Sequence, residues 1–279
     1  MARLATGLAP HAITYLVDPS ALIADRRLRS LGSMLAALVD VDPTRPDEAR
    51  AIVGRIRESA PDLPLAVLAT RSDDSLEAIR DCVHRFGTGM LVADRDDTPE
   101  RAWPAILRVV SLHVADRVRA DIGPVTPSWF VDACVACIEH AFDRLSANRL
   151  ARLTGLPYAT LYRKLRRQNL PKPLELIHWS RILVAAWVLN RGAENVTQVV
   201  AELGLRTTRS FRKAVRKRSG WTPNELRRYP ETFALTTLAF RRRVALPPSG
   251  TRRRRSRPRP NGIPPWLVSE LTPPKHIVR

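Results

Sequence analysis

The chain has 279 residues, 46 Lys+Arg against 27 Asp+Glu and a formal net charge of +19 at pH 7. That length holds two modest domains, each with its own core, and a balance this basic points to a polyanion as partner. Three cysteines without framework spacing exclude a disulfide scaffold, and no apolar stretch approaches the ~20 residues of a membrane-spanning helix.

Met1 to Asp18 has one Arg and no long apolar run, so neither a signal peptide nor a membrane anchor is expected there. Between residues 13 and 92, short apolar runs alternate with amphipathic stretches. The expected strands are Ile13–Val17, Leu35–Val41, Pro64–Ala69 and Met90–Val92, and the expected helices cover Ala21–Leu31, Pro46–Glu58 and Ser75–Phe86. Apolar runs without strict alternation, separated by helices, predict parallel strands covered on both faces, hence an α/β layered domain. A further helix from about Pro99 to Ala120 leads to Gly123-Pro124-Val125-Thr126-Pro127, a breaker cluster read as the domain junction. Residues 1–125 are therefore expected to form an α/β regulatory domain.

Charge changes sign at that junction. Residues 1–125 hold 16 Arg and 18 acidic residues, leaving 30 basic and 9 acidic for the remainder, a net of −2 against +21. Only one half asks for a polyanion.

From Trp129 to about Tyr229 the pattern is helical throughout, and residues 126–230 are expected to be one all-α domain. Cys134 and Cys137 share a helical face at i, i+3 spacing and read as core residues, since no second ligand pair completes a zinc set. Two helix-turn-helix units follow, their turn glycines about fifty residues apart at Gly155 and Gly204. In the first, Leu150–Leu153 runs through Thr154-Gly155-Leu156 into Tyr158–Leu165. In the second, Val199–Leu203 runs through Gly204-Leu205 into Thr208–Val215. Each second helix has one apolar stripe and an Arg/Lys face, which suits the major groove of DNA. Leu174–Leu189, carrying Arg181, is a long apolar helix between the units. After Tyr229 comes an ambiguous apolar patch, Thr232–Phe240, and residues 231–279 are expected to be a largely disordered Pro/Arg-rich tail with nine Arg between 241 and 260.

Residues 129–228 resemble the DNA-binding domain of the AraC/XylS transcription regulators. The resemblance rests on Gly204-Leu205, Phe211, Ala214-Val215, Gly220-Trp221-Thr222-Pro223 and Leu226-Arg227, with Arg181, Ala185 and Leu189 at the family's intervals on the linking helix. Two positions depart from it. Pro157 replaces a small N-cap residue, so that the first recognition helix is expected to start with proline, and Val200 replaces a small alanine. The resemblance implies base-edge contacts from Ala159, Tyr162 and Arg163 in the first unit and from Arg209, Ser210 and Lys213 in the second. These lie opposite the Leu161/Leu165 and Phe211/Val215 stripes, and Arg grips guanine bidentately whereas Tyr and Ser discriminate less. Arg166, Arg212, Arg216 and Lys217 are placed for phosphates. The alternative is that each Arg merely solvates a helix face. The tail could track phosphates or be an unselected extension.

The N-terminal region resembles, more loosely, a response-regulator receiver. Leu38-Val39-Asp40-Val41-Asp42-Pro43 looks like the strand that ends in the phosphorylated Asp. Phosphoryl transfer there needs an acidic pair for Mg²⁺, a hydroxyl and a lysine. Asp18 is a single acid, Ala69 takes the hydroxyl place, with Thr70 one position off, and no lysine lies near Val92-Ala93-Asp94, so Asp42 is expected not to be a phosphorylation switch. The domain is read as a degenerate receiver-like module for dimerisation or sensing. The six His are scattered, and Gly87-Thr88-Gly89 lacks a phosphate-loop context, so no enzyme, metal site or cofactor is expected.

The whole reads as a bacterial, cytoplasmic, nucleoid-associated transcription regulator. Its expected partners are promoter DNA, RNA polymerase and a second copy of the chain through the N-terminal domain. The competing readings are an architectural, weakly specific DNA-binding protein driven by the tail, a phosphorylation-dependent response regulator, and a signalling adapter.

Overall fold

The computed structural model describes residues 35–40, 46–69, 80, 89–92, 99–191, 196–205, 207–229 and 231–245. The strands β1 (Ala37–Asp40), β2 (Leu65–Ala69) and β3 (Gly89–Val92) form a parallel sheet in the order β1-β2-β3. Val39 pairs with Val67, and Val67 with Met90. Between β1 and β2 runs α1 (Pro46–Ser59), whose Ile52, Val53 and Ile56 are buried at helical spacing. The described strands pair in parallel, as the unalternated apolar runs predict. The expected strand Ile13–Val17, the helix Ala21–Leu31, nearly all of Ser75–Phe86, and Asp18, Asp42 and Asp94 lie outside the described residues.

The next helix, α2 (Pro99–Ile122), breaks the simple two-domain division. Sequence assigns it to the N-terminal unit, and it does reach β3. Yet Val110, Val114, Ala115, Val118 and Ile122 belong to one continuous core with the helices that follow. A short 3₁₀ turn at Gly123–Val125 then leads to α3 (Ser128–Glu139), α4 (Ala147–Leu153) and α5 (Tyr158–Arg167). The linking helix α6 (Pro173–Asn190) precedes α7 (Val196–Glu202), α8 (Thr208–Ser219), α9 (Pro223–Arg228) and α10 (Thr232–Val244).

Helix α6 is the axle of this bundle. Every residue from Ile182 to Leu189 is buried, so it is apolar all round, as a helix enclosed on every side must be. The helices α2, α3 and α10 enclose it, and both helix-turn-helix units sit against it. On α3, Cys134 and Cys137 are buried in the same core, and burial pushes both thiols well above their ordinary range. They pack; they do not react.

The segment after Tyr229 is a correction to the sequence reading. Its first part is not tail: α10 buries Phe233, Thr236, Thr237, Phe240 and Val244 in the core. Phe240 lies 5.3 Å from the Trp179 ring, and Phe233 packs edge-on to Trp187 at 4.9 Å. The buried threonine hydroxyls donate within the helix, Thr236 to the Thr232 carbonyl at 2.6 Å and Thr237 to the Phe233 carbonyl at 3.0 Å. Asn190, at the end of α6, donates to the Tyr229 carbonyl at 2.7 Å and fastens the α9–α10 corner. At the far end the Arg243 guanidinium grips Glu175 at 3.1 and 3.3 Å and the Asn169 carbonyl at 3.1 Å. Residues 246–279 lie outside the described residues.

One titratable group sits where α2 meets α6. The His113 ring packs on Trp187 at 4.8 Å, and burial, with Arg117, Arg57 and Arg191 nearby against the single carboxylate Asp62, lowers its pKa to about 4. The unfolded chain therefore takes up this proton first, near 6.5. Stability is full above pH 6.5 and is lost as pH falls towards 4. Unfolding at pH 5.5 should need about 1 kcal/mol less than at neutral pH on account of this group, and His113→Gln should remove that part of the slope. An identical pH profile for wild type and variant would show that His113 stays solvated.

Candidate nucleic-acid interface

The first unit begins with Ser146, whose hydroxyl accepts from the Arg149 backbone N–H at 3.2 Å and caps α4. Helix α4 ends in a closed turn. Gly155 donates to the Arg152 carbonyl at 3.1 Å, and Leu156 to that of Ala151 at 3.0 Å, with Gly155 at φ +67°. In the second unit the same pair recurs: Gly204 donates to Ala201 at 2.9 Å and Leu205 to Val200 at 3.0 Å, with φ +63° at Gly204. Both glycines hold a left-handed conformation that a side chain strains. Gly204 has a second constraint. A Cβ there would lie 2.9 Å from Cγ of Arg144, in the loop between α3 and α4, whereas Gly155 faces open space. Gly155→Ala should cost about 1–2 kcal/mol in chemical denaturation, and Gly204→Ala should cost more because Arg144 must also move. Equal losses would mean that the Arg144 contact is immaterial.

Helix α5 follows with Leu161 and Leu165 fully buried and Ala159, Arg163 and Arg166 exposed on the opposite side. Tyr162 is partly exposed between them. Pro157 is not inside the first turn as expected. It occupies the N-cap in an extended conformation (φ −58°, ψ 143°), and α5 starts at Tyr158 without a side-chain cap. The other departure, Val200, is simply buried in the second unit. There Val199, Val200 and Leu203 turn inward, and Thr207 caps α8 by accepting from the Ser210 N–H at 3.1 Å.

On α8, Phe211 and Val215 are buried, while Arg209, Ser210, Arg212, Lys213, Arg216 and Lys217 are exposed. Ser210 is less free than sequence suggested. Its hydroxyl donates to the Thr207 carbonyl at 2.8 Å and accepts from the Thr207 hydroxyl at 3.0 Å, so it completes the cap. Past α8 the chain reverses at Gly220 (φ +85°) into a capping box: Thr222 N–H donates to Glu225 at 2.6 Å, and Glu225 N–H returns to the Thr222 hydroxyl at 3.3 Å. That reciprocal pair, with Pro223 first in the helix and Leu226 buried, is the physical content of the Gly-x-Thr-Pro signature.

Both basic faces are electrostatically unspent. Among the described residues no carboxylate pairs with Arg163, Arg166, Arg209, Arg212, Lys213, Arg216 or Lys217. Their neighbours are otherwise engaged. Lys164 lies over the Trp129 ring at 4.1 Å, and Arg218 is half-buried, where desolvation lowers its pKa. Arg216 and Lys217 stand in the last turn of α8, where any cation is favoured by the helix dipole. Arg209 is in the first turn, where the dipole opposes it, so helix stability does not account for its presence. Sequence reasoning missed one accessible residue on this surface, Tyr158, in the first turn of α5. Its four-residue offset from Tyr162 was the available signal.

Residues 150–229 match the family described as a helix-turn-helix domain. The match supports an AraC-like DNA-binding domain there. It takes in both units, the linking helix and the capping box, and leaves α2, α3 and α10 outside. No curated protein and no solved structure matches the chain. Among the described residues no group of three or more His, Cys, Asp or Glu is placed to hold a metal ion, and no helix is long and apolar enough to cross a membrane.

Proposed function

We propose that this chain is a sequence-specific transcription regulator of AraC type acting in a bacterial cytoplasm, where it associates with the nucleoid and reads promoter DNA with α5 and α8. The observation that carries this reading is the pair of exposed, carboxylate-free basic helix faces mounted on one enclosed helix. In the reading, Ala159, Tyr162, Arg163, Arg209, Ser210 and Lys213 face base edges in the major groove. Arg and Lys donate to guanine O6 and N7, and Ser210 contributes less because its hydroxyl completes the cap. Arg166, Arg212, Arg216 and Lys217 meet phosphates and fix the register.

The N-terminal α/β unit is the regulatory part, degenerate as a receiver, pairing two copies of the chain. Through α2, which spans the sheet and the helical core, a signal there would bias the units that hold DNA and the contact with RNA polymerase. Because α6 holds the units in a fixed relation, their half-sites must keep a fixed helical phase. Inserting five base pairs, about half a DNA turn, between the half-sites of a selected site should reduce affinity to that for random DNA. Undiminished binding would show that the units act independently.

The Arg-rich tail adds phosphate contacts in this reading. Deleting residues 247–279 should leave site preference intact and lower the salt slope of binding by about one unit per lost contact. An unchanged slope would mean that the tail never meets DNA.

A further inference from the structure

Tyr158 is one of few large apolar side chains standing in solvent among the described residues, and of these it is the one on a recognition helix. It is 44% exposed, in the first turn of α5, and its ring lies 6.2 Å from that of Tyr162 at an interplanar angle of 38°. Lys172 Nζ sits 5.9 Å from the Tyr162 ring centre. Two tilted aromatic rings thus lie side by side along the side of α5 that also presents Ala159 and Arg163. The equivalent stretch of α8 exposes Arg209, Ser210 and Lys213, and its one ring, Phe211, is buried. The two recognition surfaces differ in chemistry: one is apolar beside a cation, the other polar and basic.

The major groove offers such rings a narrow choice. Base edges there present hydrogen-bond donors and acceptors and one apolar group, the C5 methyl of a pyrimidine. Resting on the DNA-reading function above, we infer that the Tyr158–Tyr162 pair reads 5-methylpyrimidine in the half-site bound by α5, with thymine as the source, while α8 reads guanine. Tyr158 thereby becomes a specificity-determining residue. Burying one methyl against a ring strengthens binding about fourfold, and a contact of that size suffices to discriminate thymine from cytosine.

The test starts from sites selected by the full chain out of random duplex DNA, in unmethylated and in cytosine-methylated pools. Replacing thymine by deoxyuridine in the α5 half-site removes the methyl and nothing else. Wild type should bind about fourfold more weakly for each contacted methyl removed, and the same replacement in the α8 half-site should change nothing. Tyr158→Ala, at an exposed position, should keep its melting temperature and lose the sensitivity to deoxyuridine. Selection of a methylated cytosine at that position in the second pool would be the same contact from the other pyrimidine. A selected site indifferent to deoxyuridine, or a Tyr158→Ala variant as sensitive as wild type, overturns this inference and leaves the function standing. A chain that selects no site overturns the function itself.

Discussion

Phe240→Ala should lower the unfolding free energy by about 3–5 kcal/mol, although Phe240 lies beyond the residues 150–229 that match the helix-turn-helix family. The ring is 1% exposed and packs on Trp179 of α6, so its removal leaves a cavity against the helix that carries both helix-turn-helix units. Helix α8 also rests on α10, so the second recognition helix loses part of its support. Chemical denaturation followed by tryptophan fluorescence reads the effect. A chain ending after residue 230 should be destabilised at least as much, whereas one ending after residue 246 should unfold as wild type does. An unchanged midpoint for Phe240→Ala would show that α10 is a dispensable appendage.

Arg209→Ala should weaken binding to a selected site by about 1–3 kcal/mol and leave binding to random DNA nearly unchanged. Arg209 is exposed, lacks a carboxylate partner among the described residues and stands at the helix end whose dipole repels it. Its loss should therefore cost no stability, so the effect on DNA can be read without correction. Competition binding on the two DNAs checks it. Equal weakening on both would make Arg209 a phosphate contact.

The two recognition units were legible because local chemistry dictates them. A left-handed residue must close each first helix, glycine is the residue that takes it without strain, and the leucine and phenylalanine stripes then fix which face is left to solvent. The capping box is equally local, carried by Thr222 and Glu225 three residues apart, although the sequence reading took only Gly220-Trp221-Thr222-Pro223 from that stretch. Helix α10 was not legible. Thr232-Phe233-Ala234-Leu235-Thr236-Thr237-Leu238-Ala239-Phe240 has β-branched, polar threonines where a core helix normally has aliphatics. Only the fold shows that their hydroxyls are satisfied by carbonyls one turn back. The dual allegiance of α2 was hidden for a related reason, since its apolar face shows that it packs and not on what. The cap bond of Ser210 was not legible either, because a serine in the first turn looks identical in sequence whether or not its hydroxyl bonds back to the backbone.

The central claim, that α5 and α8 together read a particular DNA sequence, is tested most directly by the ratio of two affinities at physiological salt. The full chain is titrated against its selected duplex and against bulk DNA of the same length. The account predicts a ratio of roughly 10³ or more in favour of the selected duplex. Equal affinities, both falling steeply with salt, would contradict it and make the chain an architectural DNA-binding protein held by phosphates alone.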